Sequence, residues 1–172
     1  MDFVKAPSKV READLERMIA EYGDGIFRMC FVYLQDMSLA EDAMQETFVK
    51  VYRQYASFRG ESSEKTWIMR VAINTCKDMR RTTWFRQVDR SVALDRAPEP
   101  YDEWDPSDDA LITEIMMLPA KLKDVVLLKY YQGLSFQEIA QALQIPVGTV
   151  STRINTAKKK LRAALERWYF DD

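Results

Sequence analysis

The sequence predicts an all-α protein made of two small helical domains joined by an acidic linker, and three observations carry that prediction. Apolar residues recur at three- and four-residue spacing along nearly the whole chain, the period of an amphipathic helix. Only five glycines and six prolines occur in 172 residues, too few for an all-β fold that turns every 8–12 residues or so. The period then fails between residues 83 and 109, where Ala97-Pro98-Glu99-Pro100 and Tyr101-Asp102-Glu103-Trp104-Asp105-Pro106 read as a tether. The expected units are therefore residues 1–82, a linker over 83–109, and residues 110–172.

In the first unit, Glu12 to Tyr22 carries Leu15, Met18, Ile19 and Tyr22 on one face. After Gly23 and Gly25 a second stretch repeats with Ile26, Phe27, Cys30, Phe31 and Leu34. A third helix is expected to open near Ser38 as its N-cap and to bury Ala40, Ala43, Met44, Thr47, Phe48, Val51 and Tyr52. Ser57 to Ser63 holds turn residues. Trp67, Ile68, Val71, Ala72 and Thr75 then mark a fourth helix ending near Arg81.

Past the tether the helical signal resumes near Ala110, with interruptions at Pro119, Gln132-Gly133 and Pro146. The most specific pattern of the chain runs from Gly133 to Val150. Ser135 and Glu138 have the spacing of a capping box, Ile139, Ala140 and Leu143 face inward, and Gln144-Ile145-Pro146 makes a turn. The following helix buries Val150, Ile154, Ala157 and Leu161 and turns out Ser151, Thr152, Asn155, Thr156, Lys159 and Arg162. Hydroxyl and amide groups near a helix N-terminus suit base edges and phosphates, so this is a helix-turn-helix aimed at DNA.

Composition narrows the chemistry. The chain has no histidine, which removes histidine triads, histidine metal sites and the usual proton shuttle near neutral pH. Its two cysteines, Cys30 and Cys76, form no CxxC pair and read as plain buried thiols. Met1 to Pro7 has no apolar core of a signal peptide, and no run has the roughly 18 apolar residues of a membrane span. These features point to a soluble protein of a reducing compartment, without metal or cofactor, and away from an enzyme.

The net charge of −2 conceals segregation. Residues 65–86 hold six bases against Asp78, residues 95–114 eight acids against Arg96, and residues 147–167 six bases against Glu166. The segments carry +5, −7 and +5. In the helix before the tether, Arg70, Asn74, Lys77 and Arg81 share one side, and Phe58 and Arg59 sit on the loop before it. An aromatic and a guanidinium beside a cationic helix suit unstacked bases of single-stranded DNA, while core packing is the alternative for Trp67 and Phe58. Glu41, Asp42, Gln45 and Glu46 are equally compatible with favouring a helix dipole and with docking a basic partner. A stand-alone helix-turn-helix regulator and a helical adaptor remain as rivals on the residues alone.

Three blocks in order resemble bacterial sigma factors of the extracytoplasmic-function (ECF) group, from about residue 10 to 168. Ala40 to Phe48 is similar to the region 2.2 signature. Phe58-Arg59-Gly60-Glu61-Ser62, Thr66-Trp67 and Ile73-Asn74 are similar to the element that opens and reads the −10 promoter element. Leu134 to Val150, with Ser151-Thr152-Arg153-Ile154, resembles region 4.

The resemblance implies that Glu41, Asp42, Gln45 and Glu46 dock the β′ clamp helices of core RNA polymerase, which also offers its β subunit. It implies a pocket for a flipped −10 base from Phe58, Arg59, Gly60, Ser62 and Ser63 with Asn74, flanked by Trp67, Arg70, Lys77 and Arg81. It implies −35 readout by Thr149, Ser151, Thr152, Arg153, Asn155, Thr156, Lys159 and Arg162. Its further implications are a linker near the RNA exit path, no sensory domain past Trp168-Tyr169-Phe170, and control by a separate anti-sigma factor. The implied location is the cytoplasm, where such a factor could hold the chain at the membrane. The chain departs from the family at Ser151 and Thr156, where bases are common, and at Glu64-Lys65, where aromatic residues are common. Neither base preference is therefore carried over.

Overall fold

A computed structural model describes the backbone of residues 11–85 and 108–170. Most of the expected linker, and the stretch Met1 to Pro7, lie outside the described residues. Helices α1 (Glu12–Leu34), α2 (Met37–Gln54) and α3 (Glu64–Phe85) form the N-terminal half, with a 3-10 turn at Tyr55–Ser57. The C-terminal half holds α4 (Asp108–Met117), α5 (Ala120–Val126), a π-helical segment Leu127–Tyr131, α6 (Phe136–Leu143) and α7 (Val147–Phe170). No strand occurs among the described residues.

The expected break at Gly23 and Gly25 is absent, and α1 runs through both glycines as one helix. Its apolar stripe explains this. Met18, Tyr22, Ile26, Met29 and Tyr33 follow one another at four- and three-residue steps without losing phase, so continuing the helix packs them on one side, all buried but Tyr22, which is partly so. Ile19 lies beside that stripe and is 43% exposed, contrary to expectation. Gln35 ends α1 in the left-handed region at φ 58°, and its amide donates to the Phe31 carbonyl.

One extended residue remains before α2, and it is Asp36 that caps it: Oδ1 accepts the Leu39 amide at 2.8 Å. Ser38 therefore lies inside the helix rather than at its cap. Tyr52, expected in the core, is 48% exposed at the edge of the stripe that buries Ala40, Ala43, Thr47 and Val51. Helix α3 continues four residues past Arg81. Two hydroxyls are buried at no net cost, because Thr47 donates to the Ala43 carbonyl and Thr75 to that of Val71.

The cores of the two halves form one cluster, from Met18, Ile26, Ile68 and Ile73 through Val125 and Leu127 to Ile139 and Ile154. Cys30 and Cys76 meet within it as free thiols, Cys76 Sγ donating to Cys30 Sγ at 3.4 Å. That hydrogen bond, then burial, pushes the Cys76 thiol well above its ordinary range, away from the thiolate form. The C-terminal breaks fall where they were expected: Pro119 precedes α5, and Gly133 stands at φ 67° before α6.

The capping box of α6 is fully formed. Ser135 Oγ accepts the Glu138 amide at 3.2 Å, and Glu138 Oε2 accepts the Ser135 amide at 2.7 Å. Ser135→Ala is expected to lower unfolding stability by about 1 kcal/mol in urea titrations. The Ser135 amide also holds the Glu138 carboxyl below its ordinary value of 4.5. Glu138 thus stabilises the fold above that value and ceases to do so as pH falls through its lowered one. Glu138→Gln should flatten this part of the pH–stability curve.

Candidate nucleic-acid interface

The helix-turn-helix comprises α6, a turn at Gln144 to Pro146, and α7. Gln144 takes φ 54° to end α6, and its amide donates to the Ala140 carbonyl. Ile139, Val150, Ile154 and Ala157 are buried between the helices. On the opposite side of α7, Thr152, Asn155, Thr156, Lys159 and Arg162 are exposed. The Thr152 and Thr156 hydroxyls are satisfied within the helix, donating to the carbonyls of Gly148 and Thr152. Thr149, Ser151 and Arg153 are half-buried, and the Arg153 charge acts on Asp124 of α5. The eight residues expected at one DNA surface therefore divide between an open face and a flank turned toward the protein.

The loop before α3 displays Arg59 and Gly60 to solvent. Gly60 stands at φ 71°, a backbone region that favours glycine. Phe58 is half-buried against Tyr55 and Trp67, with ring centroids 5.8 and 5.3 Å away, and Tyr55 meets Trp67 edge-on at 6.0 Å. This triad seats the loop on the bundle. Ser63 serves α3 directly, because its Oγ accepts the Thr66 amide at 3.1 Å and donates to the Thr66 hydroxyl at 2.8 Å. Among the described residues, Ser62 donates its hydroxyl only to the Ser63 carbonyl, at 3.3 Å.

A second clamp on this loop was not foreseen. Arg17 of α1 donates to both carboxylate oxygens of Glu64 at 3.0 Å, and the Tyr55 hydroxyl adds a bond at 3.2 Å. Nothing in the local sequence pattern pairs Arg17 with Glu64, because the two lie 47 residues apart.

The basic side of α3 is divided in a similar way. Asn74 is exposed, and Arg81 pairs with Asp78 one turn back at 2.8 Å. Arg70 Nη2 donates to the Gln141 carbonyl of α6 at 2.7 Å, while Lys77 pairs with Asp124 of α5, also at 2.7 Å. Burial raises the Asp124 carboxyl above its ordinary range, although Lys77 pulls the other way. Sequence periodicity missed Asp124; its only trace was the polar pair Lys123-Asp124 inside the apolar run Leu122 to Leu128.

On α2, Glu41, Asp42 and Gln45 are exposed and Glu46 is half-buried. None of the three acids forms an ion pair among the described residues. Asp42 and Glu46 line a shallow groove that continues over Lys50 and Thr75 to Thr82 of α3. Among the described residues, no helix is long and apolar enough to cross a membrane, and no cluster of acids and cysteines could hold a metal ion.

Comparison with known proteins places two family matches on this framework. Sigma-70 region 2 matches residues 18–86, and Sigma-70 region 4 matches residues 108–161. The chain is 31% identical over 163 residues to the RNA polymerase sigma-H factor of Pseudomonas aeruginosa, covering 87% of this chain and 84% of that protein. It is 33% identical over 158 residues to the ECF RNA polymerase sigma factor SigW of Bacillus subtilis, covering 84% of each. In fold it is similar to the sigma factor RpoE of Bartonella quintana, solved in complex with the anti-sigma factor NepR. That likeness has a TM-score of 0.74 at 20% identity and covers 89% of this chain and 97% of that one.

The cap geometry separates the two loop serines. Ser63→Ala should cost about 1 kcal/mol of unfolding stability through loss of the α3 cap. Ser62→Ala should stay within about 0.5 kcal/mol of the parent in the same denaturation assay.

Proposed function

We propose, starting from the fact that this chain belongs to the extracytoplasmic-function group of sigma-70 factors, a division of labour among its surfaces. The protein is a transcription initiation factor that binds core RNA polymerase and directs it to promoters. The observation that carries this is the region 2 match followed by the region 4 match in one chain. A stand-alone helix-turn-helix regulator would have no need of the first, and an adaptor no need of either.

Residues 1–82 act as the region 2 domain, 83–109 as the acidic linker and 110–172 as the region 4 domain. Glu41, Asp42, Gln45 and Glu46 dock core polymerase; the three acids form no ion pair among the described residues, which leaves their charge for a basic partner. The −10 element is read as a single strand. Arg59 and Gly60 are open to it, Phe58 and Trp67 form the wall of the pocket, and Ser63 works by holding the end of the loop. Arg70, Asn74, Lys77 and Arg81 take the strand's phosphates.

The −35 duplex is read by the open face of α7, with Thr152, Asn155 and Thr156 toward base edges and Lys159 and Arg162 toward phosphates. A separate anti-sigma factor controls the protein in the cytoplasm, a reading supported by the likeness to RpoE held by NepR.

Run-off transcription with purified core polymerase and a random-promoter library tests the whole reading. Promoter-specific transcripts are expected, and their absence would overturn it. Asp42→Lys combined with Glu46→Lys should weaken core binding about 100-fold with the fold intact. Unchanged binding would return those acids to a structural role. Replacing Thr152, Asn155 and Thr156 together should shift −35 preference in the library while leaving −10 preference as it was.

A further inference from the structure

The loop between α2 and α3 is fastened in two places. Phe58 packs its ring against Tyr55 and Trp67, which seats the entry of the loop on the bundle. The second fastening closes the loop at its neck. The Tyr55 hydroxyl donates to Glu64 Oε2 at 3.2 Å, joining the 3-10 turn that enters the loop to the first residue of α3, nine positions later. Arg17 of α1 then reaches both carboxylate oxygens of Glu64 through Nη2 at 3.0 Å, while its Nη1 donates to Glu21 one turn along α1 at 3.1 Å. Beyond the neck, Arg59, Gly60 and Glu61 are exposed.

As a source of stability this cluster is minor, because about half of the Arg17 and Glu21 side chains is open to solvent and such ion pairs contribute little. Its geometry says more. The guanidinium is planar, and with one nitrogen on Glu21 and the other on Glu64 its orientation on α1 is fixed. A carboxylate held on both oxygens by a cation and on one by a hydroxyl has little freedom left, and only 22% of the Glu64 side chain is exposed. Helix α1 therefore sets where the loop ends and α3 begins. Glu64 stands where aromatic residues are common in the family, so the neck is closed here by charge rather than by a ring.

We propose that Arg17, Glu64 and Tyr55 are positioning residues for −10 reading: they fix the neck of the loop so that Arg59 and Gly60 present one geometry to the unstacked strand. The proposal rests on the assignment of this loop to the −10 element. The three residues act through the loop and not by touching the strand. A loop ordered beforehand loses less freedom when a base enters it, and a reading group displaced by about 1 Å forfeits much of its discrimination.

The test uses the full chain with Arg17→Met, which keeps an extended side chain without donors, Glu64→Ala, which removes the acceptor, and the two combined. Circular dichroism should show all three folded. Hydrogen exchange of the free chain should show the amides of residues 58–62 exchanging faster than in the parent, with the interiors of α2 and α3 as protected as before. With core polymerase and the random-promoter library, each single variant should flatten −10 preference about 10-fold, while −35 preference and core affinity stay at the parent values. The double variant should match Glu64→Ala, since without the carboxylate Arg17 has nothing to grip across the neck. Unchanged exchange in the loop, parent-like −10 preference in the single variants, or additive losses in the double would each overturn the proposal. An even fall in −10 and −35 preference would mark a merely structural role and overturn it as well.

Arg59→Ala separates this failure from that of the underlying reading, because it leaves the neck intact. It should also flatten −10 preference. Parent-like −10 preference in Arg59→Ala would remove the loop assignment and the positioning role with it. A flattened preference in Arg59→Ala beside an intact one in the neck variants would remove the positioning role alone.

Discussion

The packing of α3 against both halves of the chain sets the position of nearly every other element. Its apolar side, with Ile68, Met69, Ala72, Ile73 and Cys76 all buried, completes the bundle of α1 and α2. Its other side hands Lys65, Arg70 and Lys77 to carbonyls and a carboxylate of the C-terminal half. Hydrophobic burial is indifferent to direction, whereas each of these cations accepts a narrow range of geometries. Apolar area therefore holds the halves together, and the polar contacts choose the orientation. Hydrogen bonds to charged groups contribute about 1.5–3 kcal/mol each, so a set of three is enough to select one docking among several.

The same side of α3 gathers several cations that need electron-rich neighbours. A cluster of unsatisfied cations repels itself. Helix-end carbonyls resolve this because they bear about half a charge. Of these three cations of α3, Lys65 and Arg70 meet such carbonyls, and Lys77 meets the Asp124 carboxylate, whose charge burial opposes. A chain with net charge −2 can in this way keep strongly basic surfaces without losing a compact core.

Where function was written in local spacing, the residues could be read directly. The box of Ser135 and Glu138, the turn at Gln144 to Pro146 and the buried Val150, Ile154 and Ala157 all involve neighbours within one or two turns. Errors arose where two local rules competed. Gly23 and Gly25 argued for a break, but the uninterrupted apolar phase of α1 outweighed their helix propensity. Ser38 and Asp36 are both able to cap α2, and the left-handed Gln35 decided for Asp36 by leaving it the one extended position. Ser63, expected at the −10 pocket, also caps α3 through the Thr66 amide.

From the residues alone came the all-α class, the helix-turn-helix, the acidic face of α2 and the two basic segments, because periodicity and charge runs are properties of neighbours along the chain. Tertiary structure decided that Arg17 grips Glu64, that Cys30 meets Cys76 and that Lys77 faces Asp124. It also decided how open each basic face is, leaving that of α7 exposed and, on α3, partly covering Lys65 and Arg70 while Asn74, Lys77 and Arg81 stay exposed. The physical reason is distance along the chain. Partners 46 or 47 residues apart share no repeat that a pattern can reveal, and they meet only when burial of the apolar core has fixed the helices in space.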